Sequence, residues 1–254
     1  VNLLTINIVS SCNKSCYYCP TKRWHNDIDY KFPFLNDKDT SNLTEEQKEQ
    51  TRKKLNALTN DSLLKWLDSY LGPKEWLIEI TGGEPGLYPE VQTLITELNN
   101  RNYFGLVKTN GSLPIPKSNN FKIISCWHYE SDFPEYFDEV IIIRNPQDDW
   151  HKKLEYCKEN NIIFHTTLFD EWYATGKYIN PERCKLNHII NYCHINSMGQ
   201  ISGCSREIVN EERNIFNMSR PIIKNVSKEC PKCKNINDVE MFLPDTIKLK
   251  IGVL

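Results

Sequence analysis

A chain of 254 residues with a formal net charge of −2 has room for one large α/β domain and a small appendage. Its charge balance sets up no general field toward nucleic acid or an anionic membrane. No run is long and apolar enough to span a bilayer, and the first ten residues lack the basic start and small-residue cleavage site of a secretory signal. Its ten cysteines are therefore expected in a reducing cytoplasm, serving metal or redox chemistry.

Residues 3–9, Leu-Leu-Thr-Ile-Asn-Ile-Val, read as a buried strand. It delivers the loop Cys12-Asn13-Lys14-Ser15-Cys16-Tyr17-Tyr18-Cys19-Pro20 at its C-terminal end. Residues 22–43 are irregular, with Trp24, Tyr30, Phe32 and Phe34 around Pro33, and a loop of that length inside a compact domain usually has a function. Thr44-Glu45-Glu46-Gln47 opens a helix as an N-cap followed by acids. Helical character runs to Tyr70 with a break near Asn60-Asp61, and Gly72-Pro73 ends it. Residues 76–80 form the second strand, and 91–99 a helix with Val91, Leu94, Ile95 and Leu98 on one face. Residues 104–107, 121–125 and 140–143 read as strands three to five, 149–159 as a helix, and 162–167 as the sixth strand. Strands alternating with helices imply a parallel sheet with right-handed crossovers. Six such units make an open, partial (β/α)6 barrel, with working residues at the C-terminal strand ends. The alternation stops after about residue 175. The expected division is residues 1–175 as the barrel and 176–254 as a small cysteine-rich extension, containing a β-hairpin that turns near Gly199.

Cys12, Cys16 and Cys19 are spaced C-x3-C-x2-C. Three thiolates on one short loop can hold three corners of a cubane iron–sulfur cluster. The fourth iron is then open to a substrate or cofactor, unlike electron-transfer clusters held by four cysteines. A zinc site completed by His25 is the competing reading, and a disulfide would need an oxidising compartment.

The strand-end loops resemble the radical SAM superfamily. The resemblance rests on the three cysteines with Tyr18 before the last of them, on Thr81-Gly82-Gly83-Glu84-Pro85 after the second strand, and on Lys108-Thr109-Asn110-Gly111 after the third. It spans about residues 1–170 in order and spacing. It implies that Cys12, Cys16 and Cys19 hold a 4Fe-4S cluster whose open iron is chelated by S-adenosylmethionine (SAM). An electron from the cluster would break the sulfonium C–S bond, and the resulting 5′-deoxyadenosyl radical would abstract hydrogen from an unactivated carbon. Gly82 and Gly83 would admit the methionine part closely. The Glu84 carboxylate or the neighbouring carbonyls would accept from its ammonium group, and Tyr18 would lie near adenine. The same Gly-Gly-Glu-Pro run also reads as a plain tight turn. Thr109, Asn110, Ser125, His128 and Arg144 occupy strand ends where relatives hold SAM. Arg144 suits a carboxylate and equally suits a surface ion pair. His165 reads either as a hydrogen-bonded core histidine or as a substrate contact.

The later cysteines resemble the twitch form of the SPASM extension, which holds one auxiliary 4Fe-4S cluster. The implied ligands are Cys184, Cys204, Cys230 and Cys233, with Cys193 as an alternative to Cys184. Four thiolates also suit structural zinc. Cys157 shares a helix face with Trp150 and Leu154 and reads as core. Cys126, at the end of strand four, reads either as a buried inert thiol or as a hydrogen donor to a substrate radical.

Such extensions accompany oxidation of peptides, proteins and small molecules, so a peptide or protein side chain is the expected substrate. Only eleven residues precede Cys12. Peptide capture is therefore expected from the 22–43 loop and the tail, or from a separate protein. A nucleotide or nucleobase is the alternative substrate, with Trp24, Tyr30 and Phe34 stacking a base and Lys224, Lys228, Lys232 and Lys234 meeting phosphate. The charge balance disfavours strong DNA binding. An external donor such as flavodoxin or ferredoxin would supply the electron. A non-catalytic zinc-binding module is the reading from another class.

Overall fold

The computed structural model describes residues 2–14, 44, 46–47, 50, 57–73, 75–128, 131–144, 148–168, 191–203 and 212–225. Among the described residues nine strands form one sheet. In chain order the elements are β1 (Asn2–Val9), helix α1 (Asn60–Tyr70), β2 (Trp76–Gly82), a 3-10 turn (Pro85–Leu87), α2 (Val91–Asn100), β3 (Phe104–Thr109), β4 (Phe121–Trp127), β5 (Glu139–Arg144), α3 (Trp150–Glu159), β6 (Phe164–Leu168), β7 (Asn191–Ile195), β8 (Ile201–Ser202) and β9 (Lys224–Asn225). The strand order is β6-β5-β4-β3-β2-β1-β7-β8, with β9 also on β7. Strands β1 to β7 pair in parallel, and β8 and β9 lie antiparallel to β7. The sheet is mixed α/β, mostly parallel and not closed, as the alternation of elements implied.

Each strand divides its residues between two faces because successive side chains alternate. One face carries Leu4, Ile6 and Ile8 of β1, Ile78 and Ile80 of β2, Val107 of β3, Ile123 of β4 and Cys193 and Ile195 of β7. All belong to one apolar cluster with the buried residues of α1 and α2. Further along, Trp127, Val140, Ile142 and Cys157 form a second cluster with Phe133, Phe137, Trp150 and Leu154. Burial of these large side chains supplies most of the drive to fold. Cys157 is fully buried there, as its helix face predicted.

Local signals account for the helix starts. The Thr59 hydroxyl caps α1 by accepting from Ser62 N. Upstream, Thr44 Oγ1 accepts from Gln47 N (3.2 Å) while Gln47 Oε1 accepts from Thr44 N (2.8 Å), the reciprocal capping expected at that point.

Two features differ from six regular βα units. The β3–β4 connection, residues 110–120, contains no helix, and none occurs among the described residues between β4 and β5. Pro114, Pro116 and Pro134 lie in these connections; proline lacks the N–H a helix interior needs. Residues 191–195 also continue the parallel sheet, since β7 pairs in register with β1 from Asn2↔Asn191 to Ile6↔Ile195. The predicted hairpin is present, joining β7 and β8 through a turn at Asn196–Gln200 with Gly199 at φ 74°.

Candidate functional site

Three loops meet at the C-terminal ends of β1, β2 and β3. The first contact is between backbones. Gly83 N donates to the Val9 carbonyl (2.8 Å) and Glu84 N to the Ser11 carbonyl (2.8 Å). A Cβ on Gly82 would lie 2.3 Å from Val9 O, and one on Gly83 would lie 2.0 Å from Ser11 O. Both positions therefore exclude any side chain, and Gly82 also sits at φ 140°. The glycines let the second loop lie directly on the loop that carries Cys12.

Glu84 joins the third loop. It is fully buried. Its Oε1 accepts from Thr109 Oγ1 (2.5 Å) and Gly86 N (3.0 Å), and its Oε2 accepts from Asn110 N (2.7 Å). Burial pushes its carboxyl above the ordinary value, and the donors from Thr109, Asn110 and Gly86, with the charge of Lys14, pull it back only in part. Both carboxylate oxygens are thus committed to the end of β3.

Asn110 closes the triangle. Its Nδ2 lies 3.8 Å from Cys12 Sγ and 2.8 Å from Asn13 Oδ1. Its Oδ1 accepts from Ser112 N (3.0 Å) and Ser112 Oγ (2.6 Å), and Ser112 Oγ accepts from Asn13 Nδ2 (2.9 Å). Lys14 N also donates to Cys12 Sγ (3.4 Å). Cys12 is partly exposed and receives two N–H groups on its sulfur. N–H groups aimed at a sulfur are compatible with a cysteine that ligates a metal.

The remaining strand-end residues fall on both faces. Ser125 is fully buried and its hydroxyl donates to the Tyr136 carbonyl (2.5 Å), so it braces the β4–β5 connection. His128, just past β4, has its imidazole held down to about 4 by burial, with Lys153 and Lys14 adding repulsion. Its carbonyl accepts from Lys153 Nζ (2.8 Å). Arg144 lies 5.9 Å from the Trp150 ring centroid, and its buried Nε has no partner among the described residues. Cys126 is buried on the opposite face from Ser125.

That opposite face carries charge inside otherwise apolar strands. Glu79 accepts from Thr5 Oγ1 (2.6 Å) and pairs with Lys108 Nζ (2.6 Å). Glu139 pairs with Lys122 and with His165 Nε2, the latter at 2.7 Å. Burial raises the Glu139 carboxyl, but the bonds from His165 and Lys122 together outweigh it and leave it below the ordinary value. His165 is therefore a hydrogen-bonded sheet residue. His194 bonds Ser202 Oγ through Nδ1 (3.0 Å), and burial lowers its imidazole to about 4.

Cys193 points into the apolar cluster, and burial pushes its thiol up to about 12. Its burial in that cluster matches its expected place inside the first hairpin strand. Cys16, Tyr18, Cys19, the 22–43 loop, Cys184, Cys204, Cys230 and Cys233 lie outside the described residues. Among the described residues no three His, Cys, Asp or Glu side chains converge on a metal-sized site, and no helix is long and apolar enough to cross a membrane. Sequence reasoning missed Asn13, Ser112 and Lys14 at the junction. Asn13 and Lys14 lie inside the cysteine motif, where only the cysteines carried an obvious chemistry.

No protein-family model and no curated protein matches the chain. Among solved structures it is similar to Streptococcus suis SuiB bound to S-adenosylmethionine, at 13% identity and a TM-score of 0.47, over 85% of this chain and 63% of SuiB. It is also similar to QueE from Escherichia coli, at 12% identity and a TM-score of 0.38, over 64% of this chain and 84% of QueE. A third is BtrN in complex with AdoMet and 2-DOIA, at 12% identity and a TM-score of 0.39, over 100% of this chain and 86% of BtrN. The chain thus spans less than two thirds of the length of SuiB.

Proposed function

We propose that this chain is a radical SAM enzyme that oxidises a side chain of a peptide or protein. The observation that carries the reading is the junction of three motif loops at adjacent strand ends, where Cys12, Gly82-Gly83-Glu84 and Thr109-Asn110 are tied by direct hydrogen bonds. A plain tight turn would not require its glycines to lie against the cysteine loop and its glutamate to hold a third loop. Cys12, Cys16 and Cys19 would hold a 4Fe-4S cluster. The Glu84 carboxylate or the carbonyls near Gly82 and Gly83 would take the SAM ammonium group, Tyr18 would cover adenine, and Arg144 would take the carboxylate with a buried Nε that has no partner among the described residues. When bound, the cluster and SAM would supply an electron and a 5′-deoxyadenosyl radical that takes hydrogen from the substrate. Glu84 would hold the three loops in register through Thr109, Asn110 and Gly86.

The substrate class rests on the cysteine pattern of the last third. Cys184, Cys204, Cys230 and Cys233 would bind an auxiliary 4Fe-4S cluster able to accept an electron from a product radical. The protein would work in the cytoplasm with flavodoxin or ferredoxin as donor. Anaerobic reconstitution of the full chain with iron and sulfide, followed by dithionite and SAM, tests the reading. The expected result is 5′-deoxyadenosine, lost in Cys12→Ala, with about eight irons per chain. No 5′-deoxyadenosine under any reducing condition would overturn the enzyme assignment, and zinc in place of iron would favour a binding module. About four irons would remove the auxiliary cluster and with it the argument for a peptide.

A further inference from the structure

Asn110 is held from every side. Its backbone N–H is fixed by Glu84 Oε2 (2.7 Å). Its side-chain amide belongs to a closed ring in which Asn13 Nδ2 donates to Ser112 Oγ, Ser112 Oγ donates to Asn110 Oδ1, and Asn110 Nδ2 donates to Asn13 Oδ1. The ring fixes the amide orientation. With the oxygen facing the two Ser112 donors, the NH2 group must face Asn13 and Cys12. One amide hydrogen goes to Asn13, and the second is directed toward Cys12 Sγ at 3.8 Å. That sulfur therefore carries one backbone donor from Lys14 and one side-chain donor whose direction is set by residues of two different loops.

Hydrogen bonds to cluster sulfurs stabilise the electron-rich reduced form and so raise its reduction potential. On the reading that Cys12 ligates the SAM-binding cluster, we propose that Asn110 is a positioning residue that donates to the Cys12 sulfur and makes that cluster easier to reduce. Asn13 and Ser112 are its supports. Asn110 acts here on the cysteine, in addition to any contact its loop makes with SAM. The three polar side chains would otherwise face solvent near the strand ends, where exposed amides gain little from pairing with each other. Their closure into a ring ties the first loop to the third and aims the second amide hydrogen at Cys12.

The test is the midpoint potential of the full-length reconstituted protein, titrated with dithionite and followed by the paramagnetic signal that changes on adding SAM. That response selects the open-iron cluster over any auxiliary one. Asn110→Leu removes the donor at similar volume and is expected to shift the midpoint to lower potential. Asn110→Asp keeps the shape, removes the donor and adds negative charge, and is expected to shift it further in the same direction. Ser112→Ala keeps the donor but loses one support, and the expected shift is downward and smaller. A midpoint equal to wild type in either Asn110 variant, with iron content and SAM response retained, overturns the proposal. Absence of any SAM-responsive signal in the wild type would instead overturn the radical SAM reading on which it rests.

Discussion

Gly83 shows how little freedom a single position has at the loop junction. A methyl group there would meet Ser11 O at 2.0 Å and Ser10 O at 2.7 Å. Both are backbone atoms of the cysteine loop and cannot swing aside as a side-chain end would. Gly83→Ala is expected to cost about 3 kcal/mol through forced backbone movement, read as a lower urea midpoint; an unchanged midpoint would show that the loops do not pack this way. His128 makes a second prediction, on pH. Its folded value of about 4 lies below the ordinary 6.5, so between those limits the unfolded chain binds a proton that the folded chain does not. Stability should be full above about pH 6.5, fall as pH drops toward 4, and lose nothing more from this group below that. His194 contributes over the same window. His128→Asn should therefore flatten the slope in part, measured by urea unfolding at stepped pH, and a profile that overlays the wild type would refute the assignment.

At the level of elements, the β4–β5 connection does by side-chain packing what a crossover helix does elsewhere. Phe133 packs against Trp127 (centroids 5.0 Å), Phe137 (5.2 Å) and Tyr156 (5.0 Å). The same loop gives Glu135 N and Tyr136 N to the Gly111 carbonyl, which ties it to the third motif loop. Phe133→Ala is expected to lose about 2–4 kcal/mol, seen in thermal or urea unfolding, and a loss below about 1 kcal/mol would mean the cluster does not hold the loop. Apolar runs made β1 to β6 readable in the sequence, with ends that moved by up to two residues. Missing helices were also readable in principle from the prolines at 114, 116 and 134, but alternation of strand and helix elsewhere outweighed them. The contact of Asn110 with Cys12 was not readable. It joins residues 98 positions apart and exists only because β1, β2 and β3 are neighbours in a definite register. The placement of β7 beside β1 was hidden for the same reason, since five residues of a hairpin strand do not announce a distant parallel partner.

For the molecule as a whole, that placement decides how it unfolds. Ile195, Ile201 and Ile215 share one apolar cluster with Leu4, Ile6, Trp66 and Leu94. Polar contacts cross the same boundary: Trp66 Nε1 donates to the Ser219 carbonyl (2.7 Å), Tyr70 Oη to the Met218 carbonyl (2.5 Å), and Leu58 N to the Ser197 carbonyl (3.0 Å). Loss of one side of this cluster would expose the other, so β7 and the strands beside it are expected to unfold as one cooperative unit. Amide exchange followed by mass spectrometry should give β1 and β7 the same protection. Trp66→Phe removes the bond to Ser219, with a loss of about 1 kcal/mol, and should lower protection in both strands together. Exchange of residues 191–203 well before β1, or a Trp66→Phe effect confined to them, would show instead that the hairpin is a separate unit leaning on a barrel that is stable without it.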